Sequence, residues 1–148
     1  MAEPRRPREI LVFEVGDRRF GLPVSGVREL LRAATIVPVP SAPAAIEGVI
    51  NVRGAVVPVL DVRAWLRLPA RPVEPADQLI VLDGGRRPAA LRVDRVVELG
   101  ELPGADAGRD GDDFAGVVKL AGGLVLMLDP AELAAAAGAG GGAGEGAP

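Results

Sequence analysis

The chain has no cysteine and no histidine among its 148 residues. Disulfides and thiolate metal sites are therefore excluded, and so are the commonest general base and metal ligand. Tyrosine is absent and aromatics make up 3%, with one Trp and three Phe. A core must then be built from Val, Leu, Ile and Ala, which the 49% hydrophobic share allows. Lysine occurs once, at Lys119, so the positive charge is almost all arginine. The net charge is −3 with a pI near 5.0, which is no polybasic footprint for nucleic acid. No apolar run approaches the roughly 18 residues of a membrane span, and MAEPRRPREI lacks the apolar stretch of a signal peptide. A cytoplasmic protein without direct membrane insertion is expected. Without His or Cys a hydrolase would need paired carboxylates, and no convincing pair stands out; no catalytic residue, metal or cofactor is expected.

What is present centres on Gly48 to Trp65, GVINVRGAVVPVLDVRAW. Two mostly β-branched runs flank the corner Asn51-Val52-Arg53-Gly54, which reads as strand, turn and strand with Arg53 pointing outward. Gly54 supplies the freedom to reverse direction. Pro58 has no N–H to donate, so the second strand should lie at a sheet edge or carry a bulge there. Asp61 and Asp129 end apolar runs, where they suit capping of the following short helices better than catalysis.

Elsewhere, residues 1–8 read as disordered, Glu9 to Val15 as a strand, Gly16 to Arg19 as a reversal and Arg19 to Leu22 as a second strand stopped by Pro23. Val24, Val27, Leu30 and Leu31 fall at helical spacing, predicting a short helix over Ser25 to Arg32. Ala34 to Pro40 reads as extended, Ser41 to Pro43 as a turn, and Ala44 to Glu47 as one helical turn. RLPARPVEPAD reads as a Pro-rich connector. Then come strands over Gln78–Asp83 and Pro88–Val93 joined by a Gly84-Gly85 hairpin, and an extended or helical Val96–Leu99. A Gly/Asp loop covers residues 102–113, whose Asp110, Asp112 and Asp113 lack the bidentate Glu of a calcium loop. Strands over Phe114–Leu120 and Leu124–Leu128, a helix over Pro130–Ala137 and a flexible Gly/Ala tail over 138–148 complete the chain.

The halves repeat. At an offset of 69, Val12/Val81, Gly16/Gly85, Arg18/Arg87, Leu22/Leu91, Val24/Val93, Val27/Val96, Glu29/Glu98 and Leu30/Leu99 are identical. At an offset of 68, Gly48/Gly116, Val49/Val117, Gly54/Gly122, Val57/Val125, Leu60/Leu128 and Asp61/Asp129 agree. The repeat predicts two similar β-rich subdomains, roughly 9–66 and 78–134 and open to interleaving, sharing one hydrophobic seam within a single domain over 9–137.

From Glu9 to Ala134 the chain resembles the CheW family of chemotaxis coupling proteins. The carriers are ILVFEVGDRRFGLPVSGVREL, GVINVRGAVVPVLDV, LIVLDGGRRPAALRVDRV and GLVLMLDPAEL, in the family's order. The resemblance implies a mostly β fold of two intertwined SH3-like five-stranded β-barrel subdomains with short helices. It further implies a non-catalytic adaptor joining the cytoplasmic signalling tip of chemoreceptors to the regulatory domain of a CheA-type histidine kinase. Matching the family's motifs residue by residue makes Arg53 and Glu29 receptor-binding candidates, with Val27 lining the groove and Asn51 and Gly54 shaping the corner that presents Arg53. The same residues read plainly as a solvated turn arginine, a polar helix face and a core valine. No kinase-contact residue is implied. The alternative is a small β-barrel binding nucleic acid or another polyanion, which usually carries a basic stripe with stacking aromatics; the acidic balance and the single Trp65 argue against it.

Overall fold

In the computed structural model, residues 8–32, 36–40, 45–83, 87–102, 116–120 and 122–137 are described. The strands are β1 (Arg8–Val15), β2 (Arg18–Pro23), β3 (Val27–Arg32), β4 (Ile46–Val52), β5 (Ala55–Asp61), β6 (Gln78–Leu82), β7 (Ala89–Val93), β8 (Arg95–Leu102), β9 (Val117–Leu120) and β10 (Gly123–Met127). A 3₁₀ turn, Val24–Gly26, precedes β3, a short helix α1 (Val62–Trp65) follows β5, and a second helix, α2, spans residues 130–137. The Gly84-Gly85 hairpin, the Ser41–Pro43 turn, the loop over 103–113 with its aspartates, Phe114, the tail over 138–148 and residues 1–7 lie outside the described residues.

The strands form two five-stranded sheets, ordered β8-β1-β2-β10-β9 and β3-β6-β7-β5-β4. Exchanging β1–β5 with β6–β10 converts one order into the other, so the sequence repeat is a repeat of topology. Even the parallel pairs correspond: Met127↔Gly21 in the first sheet matches Val59↔Ala90 in the second at the sequence offsets of 68 and 69. Each half of the chain contributes strands to both sheets.

Three apolar clusters follow from the period-2 alternation of these strands. Ile10, Val12, Val125 and Met127 cluster on one face of the first sheet. Their counterparts Leu79, Val81, Val57 and Val59, with Ile50 and Ala90, do so on the second. The opposite strand faces meet in a shared seam containing Phe13, Leu22, Leu60, Ile80, Leu82, Leu91 and Leu133. Phe13 and Phe20 stack there with centroids 5.9 Å apart.

Several expectations change. The predicted Ser25–Arg32 helix is a 3₁₀ turn followed by β3. Val27, Glu29 and Leu31 point inward and Arg28, Leu30 and Arg32 outward, and the strand saturates β6 through pairs such as Leu30↔Ile80. An eight-residue helix has a costly nucleus and few bonds to offset it, so sheet pairing wins. The helical turn expected over Ala44–Glu47 gives way to β4, which begins at Ile46 and has a register shift between Ile46 and Gly48. Arg8, placed in the disordered N-terminus, opens β1. Pro58 is neither on an edge strand nor at a bulge: β5 lies between β7 and β4, and the irregularity sits in β4 opposite. Pairing with β7 starts only at Val59, so Pro58 has a ladder partner, Val49, on one side alone.

The Pro-flanked segment 36–40 covers the β4 edge. Val37 and Val49 exchange two backbone hydrogen bonds of 2.9 Å, and a Cβ at Gly48 would stand 2.5 Å from the Val37 carbonyl oxygen. That neighbour is backbone and cannot rotate away. Gly48→Ala is expected to destabilise by about 1–3 kcal/mol through overpacking. Urea unfolding measures the loss, and amide exchange should speed first at Val37 and Val49.

Candidate partner-binding site

The β4–β5 hairpin pairs Val52 with Ala55, leaving Arg53 and Gly54 as a two-residue turn. Both have positive φ, 52° and 89°, the backbone sign that type I′ hairpin turns require at both central positions. Gly54 adopts it freely, and the Asn51 side-chain oxygen accepts from the Gly54 N–H at 2.8 Å, closing the corner. Arg53 is different. A left-handed arginine costs roughly 1–2 kcal/mol, where Asn, Asp or Gly would cost less.

That strain aims one side chain. Arg53 Nη1 donates to Glu29 Oε1 on β3, so the second sheet curls until its hairpin tip reaches its opposite edge strand. Arg53 remains 78% exposed while Glu29 is 19% exposed. The glutamate is the anchored partner and the guanidinium keeps most of its donors free. Val27 heads the same strand, opposite Leu82, and packs half-buried against the seam cluster. Beside it Arg28 pairs with Asp83 at 3.2 Å, and the Asp83 N–H donates to the Gly26 carbonyl at 2.8 Å. Leu30 is 41% exposed on β3 and Val56, paired with Asn51, is 69% exposed. The sheet thus presents a directed cationic donor at its hairpin tip and exposed apolar side chains on β3 and β5.

The structure therefore joins Arg53 to Glu29 and Asn51 to Gly54. Val27 shares the strand of Glu29 but lies in the seam packing. Asp61 caps α1 through bonds to the Arg63 and Ala64 N–H groups, and the Asp129 side chain accepts from the Ala131 N–H at 2.9 Å, the structural roles expected of both.

A second polar feature was missed in the sequence. Arg92 lies in β7, all five residues of which are buried. It donates to Glu47 at 2.6 and 3.0 Å, to Asp77 at 2.8 Å and to the Arg71 carbonyl at 2.9 Å. Arg71 Nη2 reaches both Asp77 and Asp94 at 2.7 Å, and Arg63 adds Asp94 at 2.9 Å. The supposed linker RLPARPVEPAD is thus tied down along its length. A charged residue inside the apolar run AALRV was the available signal.

Burial alone would push the Asp77 and Asp94 carboxyls up, but bonds from Arg71 and from backbone amides outweigh it and hold both below the usual aspartate range. Their stabilisation is complete above the unfolded value of about 3.9 and is lost as pH falls through it towards the folded value. Glu47 runs the other way: burial raises its carboxyl despite Arg92, so its contribution weakens as pH rises past the unfolded glutamate value. Melting temperature should fall between about pH 5 and pH 3, and more shallowly in Asp94→Asn than in the parent. Circular dichroism melts across that range test this.

Comparison with known proteins agrees with this architecture. The family model described as CheW-like domain matches residues 9–138. The chain belongs to the CheW-like domain family. Protein FrzA of Myxococcus xanthus is 38% identical over 105 residues, 71% of this chain and 66% of that protein. A chemotaxis protein CheW of Rhizobium meliloti is 38% identical over 62% of this chain and 59% of its own length. This chain thus spans about two thirds or less of these curated relatives. The chemotaxis protein CheW of Thermotoga maritima is matched more fully, at 27% identity over 87% of this chain and 89% of that protein. The crystal structure of scaffolding protein TtCheW from Thermoanaerobacter tengcongensis superposes with a TM-score of 0.71 at 26% identity, covering 82% of this chain and 88% of that one. The mostly β fold of two five-stranded sheets is the CheW fold of paired SH3-like subdomains.

Proposed function

We propose that this chain is a non-catalytic, cytoplasmic coupling protein of chemotaxis-like signalling, joining chemoreceptor signalling tips to the regulatory domain of a CheA-type histidine kinase. One observation carries the site: Arg53 sits in a left-handed turn position and is oriented by Glu29, yet stays 78% exposed. A solvated arginine with no task would not be expected at a backbone position that disfavours it, because strain of this kind persists where the surroundings impose it and often at functional sites. The guanidinium fork suits carboxylates or carbonyls on a receptor helix. Leu30 on the strand of Glu29 and Val56 on the strand after the turn are exposed apolar residues of the same sheet. The family match and the relatives named CheW and FrzA support the partner classes.

Calorimetric titration against the regulatory domain of a CheA-type kinase from the same organism tests the reading. Saturable one-to-one binding is expected. Absence of binding to every such kinase the organism encodes would sink the coupling role and leave the fold untouched.

A further inference from the structure

The seam between the sheets is built of aliphatic side chains and two phenylalanines. Such packing is favourable but weakly directional, and cores of this kind tolerate rearrangement when volume is kept. Something else must fix the angle at which the sheets meet. The chain passes between the sheets at two repeat-related crossovers: the Val24–Gly26 turn between β2 and β3, and Asp94 between β7 and β8. The repeat would make these crossovers alike, and they are not.

At the first, Pro130 packs so closely on Gly26 that a Cβ there would stand 2.4 Å from the proline Cγ. At the second, the repeat partners of Pro23, Ser25 and Ala131 are Arg92, Asp94 and Arg63. Asp94 is the point where their bonds converge. Its carboxylate accepts from the Gly16 N–H in the β1–β2 turn at 2.8 Å, from Arg63 on α1 at 2.9 and 3.2 Å, and from Arg71 of the connector at 2.7 Å. Its own N–H donates to the Glu14 carbonyl at 3.0 Å. One residue between the sheets thus holds a turn of the first sheet, the helix that follows β5 of the second, and the connector. Arg71 extends the link to Asp77, and Asp77 to Arg92 in β7.

We propose that Asp94, held by Arg63 and Arg71, is a positioning residue that fixes the angle between the two sheets, while the aliphatic seam supplies the stability that keeps them together. Buried ionic groups cost desolvation that their attraction often only just recovers, so their gain lies in the single geometry their bonds permit. The inference is independent of which partners the protein binds.

The absence of cysteine makes the test clean, since two introduced cysteines are the only labelling sites. Asp17→Cys in the exposed β1–β2 turn and Val56→Cys on β5 place one spin label on each sheet of the full chain. Pulsed electron resonance should give one narrow distance peak in the parent. Asp94→Asn removes the charge that Arg63 and Arg71 grip, and Arg71→Lys keeps the charge but loses the fork. Both should fold, and both should lose the single peak in favour of a broad or shifted distribution. Val57→Ala, which opens the core inside the second sheet and away from the seam, is the control: its melting temperature should drop while its peak stays narrow. The proposal is overturned if the two network variants keep the parent's peak, or if Val57→Ala broadens it as much. Failure of both network variants to fold would also overturn it, because the seam would then not suffice to hold the sheets.

Discussion

Arg53→Asp should lose receptor-tip binding by tenfold or more, equivalent to about 1.4 kcal/mol or above, while the fold is kept. The reversed charge would face Glu29, so the pair that orients the side chain becomes a repulsion as well. Two further variants separate the contributions. Arg53→Asn removes the guanidinium but suits the left-handed turn better, so its melting temperature should equal or exceed the parent's while binding falls. A Glu29→Arg with Arg53→Glu double variant restores an internal pair with the polarity exchanged. If binding depends on a cation presented at the hairpin tip, the double variant stays weak; if the pair matters only for shape, binding returns. Calorimetry against a receptor-tip fragment, with melts on the same samples, reads all three. Parent-like binding by Arg53→Asp would remove this residue from the site.

The value of Arg53 was legible in the sequence only in part. Its place at a corner between β-branched runs could be read directly, as could the β1–β2 reversal at Gly16 and the caps at Asp61 and Asp129. Each depends on neighbours within a few residues. The strain at Arg53 was also present in the pattern, since an Arg-Gly pair in a two-residue hairpin forces a left-handed arginine. Glu29 was found by motif, but on the wrong element. Val24, Val27, Leu30 and Leu31 fit a helix while Val27, Glu29 and Leu31 fit a strand, and only the unpaired edge of β6, 46 to 55 residues further along the paired register, decides between them. The ion network was illegible for the same reason: it joins Glu47 of β4, Arg63 of α1, Arg71 and Asp77 of the connector, and Arg92 and Asp94 at the end of β7, and beyond the charge within AALRV nothing local marks these stretches as neighbours.

The exchange of strands between the sheets makes a second strong prediction. Phe13 is fully buried in β1 at the shared seam, stacked on Phe20 and clustered with residues of both sheets. Phe13→Ala should cost about 3–5 kcal/mol, the usual range for emptying an aromatic core site. Against the ~5–15 kcal/mol that domains commonly possess, this is a large fraction. The form of the loss matters as much as its size. Two self-contained barrels joined by a linker would let the first sheet melt while the second survived. Here β3, β4 and β5 share a sheet with β6 and β7, and β1 and β2 share one with β8, β9 and β10, so neither half of the chain can unfold without stripping strands from both sheets. Unfolding of both parent and variant should therefore remain a single transition, with the urea midpoint lowered and the slope unchanged. Far-UV circular dichroism and the fluorescence of Trp65, which packs against the seam from α1, should move together. Separation of those two signals in Phe13→Ala would mean that the sheets hold independent stability and that strand exchange does not bind them into one cooperative unit.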